Sequence, residues 1–195
     1  MRNPIRRKQN WYVVQVTTGR EDAMCATIER ACREHDGAAE PGGRIGLREC
    51  FSPKFQRRRK WKGEWQDVER AFLPGYVIAV TDNPAALAQA LRGVREFCRV
   101  LAVEETYIPL AERERALLET HTGQPDRVIP LSFGYKAGDR LTVTEGPLAG
   151  NEVMITKLDR QNCLAHIEFR VGPITFKATV GLVVMPSGKV RQVER

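Results

Sequence analysis

Apolar and polar positions along this chain fall into two regimes. Up to about residue 120, strand-like apolar runs alternate with stretches whose apolar side chains recur at helical spacing; beyond it only short strand-like runs remain. "WYVVQVTTG" (11–19) is rich in β-branched and aromatic residues and predicts a buried strand. Thr18 followed by Glu21 fits a capping box, and Met24, Ile28 and Ala31 or Cys32 mark a helix running to about Asp36, where Gly37 stops it. A loop at 37–43 leads to a strand over about 45–51. Lys62-Gly63-Glu64, between Arg57–Trp61 and Trp65–Phe72, predicts the tip of a hairpin. A strand at 75–81, a helix at 82–94, a strand in "EFCRVLAV" and a helix from Pro109 to about Thr120 follow. The order β-α-β-β-α-β-α predicts an α+β sandwich of ferredoxin-like type over residues 11–120.

Residues 121–132, "HTGQPDRVIPLS", hold two prolines and little periodicity, and predict a flexible linker. From 133 to 186 the candidates are strands at 140–144, 152–157, 163–170, 173–178 and 181–185, separated by turn signals. Short strands over so few residues predict a small all-β barrel of SH3-like type. The chain therefore reads as two modules flanked by basic tails at 1–10 and 187–195.

Composition narrows the function classes. The chain has 195 residues, with 42% hydrophobic and 28% charged side chains, which suits a globular protein of one or two domains. No apolar run approaches a membrane span, and the basic N-terminus has no apolar stretch behind it, so the expected location is cytoplasmic, with no membrane association. Five cysteines, none in Cys-x-x-Cys spacing, argue against a disulfide framework or a metal site. Cys25 and Cys32, seven apart, read as small apolar core residues of the first helix. His35, His121 and His166 stand far apart without a nucleophile signature, and "GPLAGNE" lacks the ending of a phosphate loop. These features predict no enzyme, no catalytic residues and no cofactor.

Net charge is +7, and its placement matters more than its size. Residues 1–10 carry four basic and no acidic side chains, whereas residues 11–120 carry seventeen of each. Inside that neutral block Lys54, Arg57, Arg58, Arg59, Lys60 and Lys62 crowd into nine positions with no acid between them. Such a patch suits an anionic partner, and Trp61 and Trp65 beside it offer faces on which an unpaired base stacks. The competing reading is a solvated hairpin held by cross-strand tryptophan packing.

"WYVVQVTTGRED", "FSPKFQRRRKWKGEWQDVERAFLPGYVIAV", "LRGVREFCRVL" and "GDRLTVTEGPLAGNEVMITKLDRQNCLAHIEF" together resemble the NusG transcription elongation factors. The likeness covers nearly the whole chain past residue 10. Its most specific block is Leu73-Pro74-Gly75-Tyr76-Val77 with a KOW motif downstream. "MITKLDRQ" and the loop at 37–46 resemble the specialised LoaP antiterminators. The chain departs from the family in carrying Val153 where a glycine is usual, and Gln161-Asn162-Cys163-Leu164 where the LoaP pattern is more basic.

The resemblance implies a bacterial, monomeric, non-enzymatic factor. Its first (NGN) module docks on the clamp helices of RNA polymerase. Phe72, Leu73, Pro74 and Tyr76 supply apolar anchors, with Trp11, Tyr12 and Phe51 nearby; the competing reading is that these are core residues, Trp11 and Phe51 above all. The basic hairpin then meets DNA or other nucleic acid in the transcription complex. The KOW module offers Lys157, Arg160, Arg170 and Lys177 to nascent RNA, such as a leader hairpin, or to protein. The leading expectation is processive antitermination of long operons. The alternatives are a general elongation factor whose KOW module recruits a termination factor or ribosomal protein, and a ribosome-associated RNA-binding protein.

Overall fold

The structure, a computed structural model, describes residues 10–38, 43–121 and 127–186. The basic tails, apart from Asn10, lie outside the described residues, as do residues 39–42 of the expected loop and 122–126 of the expected linker. In chain order the elements are β1 (Trp11–Val16), α1 (Glu21–Ala38), β2 (Glu49–Phe51), β3 (Lys54–Trp61), β4 (Glu64–Ala71), β5 (Tyr76–Val80), α2 (Pro84–Leu91), β6 (Cys98–Val100), β7 (Ala102–Val103), β8 (Thr106–Tyr107) and α3 (Glu112–His121). They continue as β9 (Val128–Ile129), β10 (Ser132–Ala137), β11 (Arg140–Glu145), β12 (Ile155–Asp159), β13 (Leu164–Val171) and β14 (Ile174–Pro186), with a 3₁₀ turn at Glu152–Met154. They form two compact units. One holds the described residues of Met1–Ser52 and Pro74–Ala111, the other those of Pro53–Leu73 and Glu112–Arg195.

The first unit is an antiparallel sheet of order β2-β5-β1-β6 backed by α1 and α2. Strand alternation sends Tyr12, Val14, Val16, Val77, Ala79 and Val100 to one face. There they pack with Met24, Ile28 and Cys32 of α1 and Leu87 and Leu91 of α2. Each fully buried Ile or Leu contributes about 1.5–3 kcal/mol to this layer. Asn83 caps α2, its side-chain oxygen accepting from the Ala86 N–H at 3.1 Å, and Pro84 opens the helix.

The expected capping box at Thr18 does not form. Arg20 takes the place before the helix, its carbonyl accepting from Met24 N–H, and Glu21 works differently. The buried Glu21 carboxylate accepts from the N–H of Gly75 at 2.7 Å and of Gly19 at 3.0 Å. It thus ties the start of α1 to the turn that opens β5. Gly75 has φ +82°, and a side chain on it would meet Thr18 Oγ1 at 2.8 Å, so glycine is required on both counts.

The second unit begins with the hairpin β3–β4, whose tip residues Lys62 and Gly63 both have positive φ, matching a two-residue primed turn. Behind it lies a curled sheet of order β11-β10-β14-β13-β12, in which β10 and β14 run parallel and the other pairs antiparallel. The overall likeness to an α/β module followed by a strand-rich SH3-like module holds.

Other details differ from the sequence expectation, among them the 3₁₀ turn at Glu152–Met154 where a strand over 152–157 was expected. The hairpin and α3 group with the C-terminal sheet rather than with the first module. Residues expected as linker supply strand β9, which pairs parallel to Lys54 and Phe55, with Ile129 and Leu131 buried and Lys54 N–H donating to the Arg127 carbonyl at 3.0 Å. Ser132–Ala137 is a further strand. The strands expected at 173–178 and 181–185 are one, β14, within which Gly181 serves close approach. A Cβ there would collide with the Gln56 carbonyl oxygen and stand 2.5 Å from Leu131 Cδ2.

Glu21→Gln is expected to cost about 1–3 kcal/mol in urea unfolding at neutral pH. Burial opposes ionisation of Glu21, but the Gly75 and Gly19 N–H groups outweigh it and hold the pKa low. The carboxylate therefore stabilises the fold above the unfolded glutamate value of about 4.3. That contribution disappears as pH falls through the lower folded value, so the gap between wild type and Glu21→Gln narrows in acid. Gly181→Val is expected to lower amide-exchange protection of Lys54–Gln56 and Ile129, read by hydrogen exchange, while the first unit keeps its protection.

Candidate docking face and nucleic-acid interface

The first unit's sheet has a second face, turned away from α1 and α2. Register places Trp11, Val13 and Gln15 of β1 there with Tyr76, Ile78 and Val80 of β5, Phe51 of β2 and Arg99 of β6. Trp11 and Phe51 meet edge to face at 5.3 Å between ring centroids. Tyr76, Gln15 and Arg99 occupy adjacent strands in one row at the partly exposed end.

The expected anchors are thus divided. Trp11, Phe51 and Tyr76 share this face, whereas Tyr12 lies in the helix-packed core, where burial raises its pKa. Phe72 and Leu73 belong to the second unit and are only 1% and 3% exposed, so they stand here as core side chains. Pro74 is exposed and Tyr76 partly so. Arg99 and Gln15 escaped the sequence reading, although alternation in "CRVL" assigns Arg99 a face opposite to Val100. Phe97, 55% exposed, was missed as well.

The hairpin's register sorts its cations onto two faces. Lys54, Arg58 and Lys60 share one with Trp65, Asp67 and Glu69; Arg57 and Arg59 share the other with Trp61, Glu64 and Arg70. Trp61 and Trp65 therefore do not pack on each other, which removes the cross-strand tryptophan reading. Each indole is about half exposed, at 50% and 54%. Arg59 lies over the Trp61 ring, its guanidinium carbon 4.8 Å from the centroid. Arg58 makes a two-pronged pair with Asp67, Nε to Oδ1 at 2.8 Å and Nη2 to Oδ2 at 2.9 Å. Among the described residues no carboxylate lies within ion-pair distance of Arg57, Arg59, Lys60 or Lys62. The Trp61 face is thus the less neutralised of the two.

In the C-terminal sheet, Lys157, Arg170 and Lys177 share the outer face with His166 and Thr179. Their charge is offset by Glu168, which pairs with Arg170 at 3.7 Å and sits directly opposite Lys177. Arg160 is exposed in the turn Asp159–Cys163. The Asp159 carboxylate holds that turn by accepting from Asn162 N–H at 3.0 Å and Nδ2 at 2.8 Å, which keeps its pKa low. Burial pushes the Cys163 thiol up against the opposing pull of Arg58 and Arg57 nearby.

Among the described residues no group of three or more His, Cys, Asp or Glu is placed to hold a metal ion, and no helix is long and apolar enough to cross a membrane. Cys25, Cys32 and Cys50 are buried free thiols of the sheet–helix layer, as expected for the first two. Burial and the carboxylates of Asp36 and Glu29 push Cys32 up to about 12.

A family model described as transcription termination factor NusG matches residues 9–119. The transcription termination/antitermination protein NusG of Helicobacter pylori is 22% identical over 191 residues, covering 95% of this chain and 98% of its own. That of Halalkalibacterium halodurans is 23% identical over 180 residues, covering 88% and 97%. A structure concerning domain interaction in Thermotoga maritima NusG covers 90% of this chain and 94% of its own, at 16% identity and a TM-score of 0.53, which is a likeness of fold. With residues 9–119 matched, more than half its length, and with the helix-backed sheet and the basic hairpin both inside that stretch, the chain belongs to the NusG family.

Proposed function

We propose that the protein is a NusG-type transcription elongation factor that binds RNA polymerase and nucleic acid and suppresses pausing and termination. The observation that carries the reading is the hairpin tip, where a guanidinium stacks on one half-exposed indole and a second indole is displayed on the opposite face. Cations without carboxylate partners attract phosphate, and exposed rings accept unpaired bases without reading sequence. In a NusG-family chain this arrangement is best used beside the transcription bubble, where single strands are present.

The apolar sheet face, with Tyr76 and Pro74 at its accessible end, is the proposed dock for the polymerase clamp helices. Trp11, Phe51, Phe72 and Leu73 contribute to such an interface only after the contacts that bury them open. Within the family the reading is of a specialised antiterminator of the LoaP type, on the strength of "MITKLDRQ" and the 37–46 segment. The general elongation factor is the second reading. It is favoured by the outer face of the C-terminal sheet, where Glu168 offsets Arg170 and Lys177, a pattern that suits a protein partner such as a termination factor or ribosomal protein better than RNA.

In a reconstituted elongation assay the protein is expected to raise read-through of a terminator in its own operon leader; unchanged read-through would defeat the antitermination reading. Tyr76→Ala is expected to weaken polymerase binding by about tenfold, in the range of a single aromatic anchor. Trp61→Ala, with polymerase binding intact, is expected to lose about tenfold in affinity for unpaired oligonucleotide, measured by fluorescence anisotropy.

A further inference from the structure

The β3 strand and the turn Asp159–Cys163 are neighbours in one unit. The Gln56 carbonyl abuts Gly181 of β14. Gly181 is in register with Leu164 of β13, and the next residue, Leu182, donates its N–H to the Cys163 carbonyl at 2.9 Å. The turn therefore stands beside residues 56–58 of the hairpin, and the field of Arg57 and Arg58 is felt at Cys163. Both nearby acids are engaged within the structure, Asp159 by Asn162 and Asp67 by Arg58. Among the described residues neither Arg160 nor Arg57 has a carboxylate within ion-pair distance.

We infer that the Asp159–Cys163 turn and β3 form one cationic ledge, a track for an unpaired nucleic-acid strand running from Arg160 past Arg57 to Arg59 and Trp61. The inference rests on the nucleic-acid reading of the hairpin and extends it to the C-terminal sheet. At about 3.3 Å per residue, Arg57 to Trp61 spans about 13 Å, so a strand stacked at the tip continues along the hairpin to the turn. Phosphates satisfy the free guanidinium groups along the way, while the indole at the end takes a base. A duplex has no exposed base face for Trp61, so the chemistry commits to single strands, RNA or DNA.

The test uses the full-length chain, with unstructured oligouridine and oligodeoxythymidine probes of about 12 nucleotides and a fully paired RNA duplex. Arg160→Glu and Arg59→Glu are compared with Arg30→Glu, the same charge change on an exposed site of α1. Arg160→Glu and Arg59→Glu are each expected to weaken both single-strand probes by about 5–10-fold and to flatten the salt dependence by about 0.7 in logarithmic slope. Arg30→Glu is expected to stay within about twofold of wild type. If Arg160→Glu behaves like Arg30→Glu while Arg59→Glu binds weakly, the turn is not part of the track and only the hairpin reading survives. If Arg59→Glu also behaves like Arg30→Glu, the hairpin reading itself fails. A loss confined to the duplex probe overturns the single-strand assignment.

Discussion

The carbonyl of Gln56 stands where residue 181 has room for a hydrogen and nothing larger. The architecture of the second unit follows from that approach. A two-stranded ribbon is marginal alone, yet β3 and β4 keep eight residues each in register out to an exposed tip. They do so because the root is gripped: Phe55 and its β9 partner Ile129 are buried, β9 extends the ribbon to three strands, and Leu131 lies against Gly181. The cost of ordering a charged hairpin is offset at its base, by apolar burial, and not along its charged length.

The same rigidity gives the charge its meaning. A primed two-residue turn fixes pairing, pairing fixes faces, and the faces differ. An exposed pair such as Arg58–Asp67 contributes about 0.2–1 kcal/mol to stability, too little to explain a cluster of six cations. The remaining cations repel one another, and Arg59 relieves part of this by lying over Trp61. A hairpin selected for stability alone would carry more carboxylates on β4 opposite Arg57, Arg59 and Lys60, where Val68, Gln66 and Trp65 stand instead.

Local signals were legible in the sequence where one residue type admits one backbone. Lys62-Gly63 marked the tip, and the β-branched and aromatic content of "WYVVQV" the central strand. Roles decided by distant partners were not. Glu21 read as half of a local box with Thr18, and instead reaches across 54 positions to Gly75. Gly181 read as the start of a separate strand, because nothing in one dimension shows that a glycine makes room for another main chain in the middle of a longer one. "RVIPLS" read as linker because a two-residue strand has no period, and only its pairing with β3 defines it. In the hairpin the cations between Lys54 and Lys62 and both tryptophans were identified, Arg70 and Phe55 were not, and the partition between faces depended on register. For the apolar anchors, composition named the right residue types, and the division of Tyr12 from Trp11 followed only once α1 was placed against one side of the sheet.

That division bears on how a dock would engage. Returning a buried Phe or Leu to accessible surface costs about 1.5–3 kcal/mol per side chain before any partner contact repays it. Phe72 and Leu73, both nearly sealed, therefore make poor first contacts. On adjacent strands at the accessible end, flanking Gln15, exposed Arg99 carries no such cost and partly exposed Tyr76 less of it. For the proposed polymerase dock the order of events follows from this asymmetry. Under that proposal the ring of Tyr76 and the charge of Arg99 would act on encounter, and the larger apolar area behind them would add affinity only to a partner already held there. A partner lacking complementary charge at that rim would meet the cost of opening without the encounter that precedes it, so the proposal puts discrimination at the partly exposed row rather than at the buried aromatics.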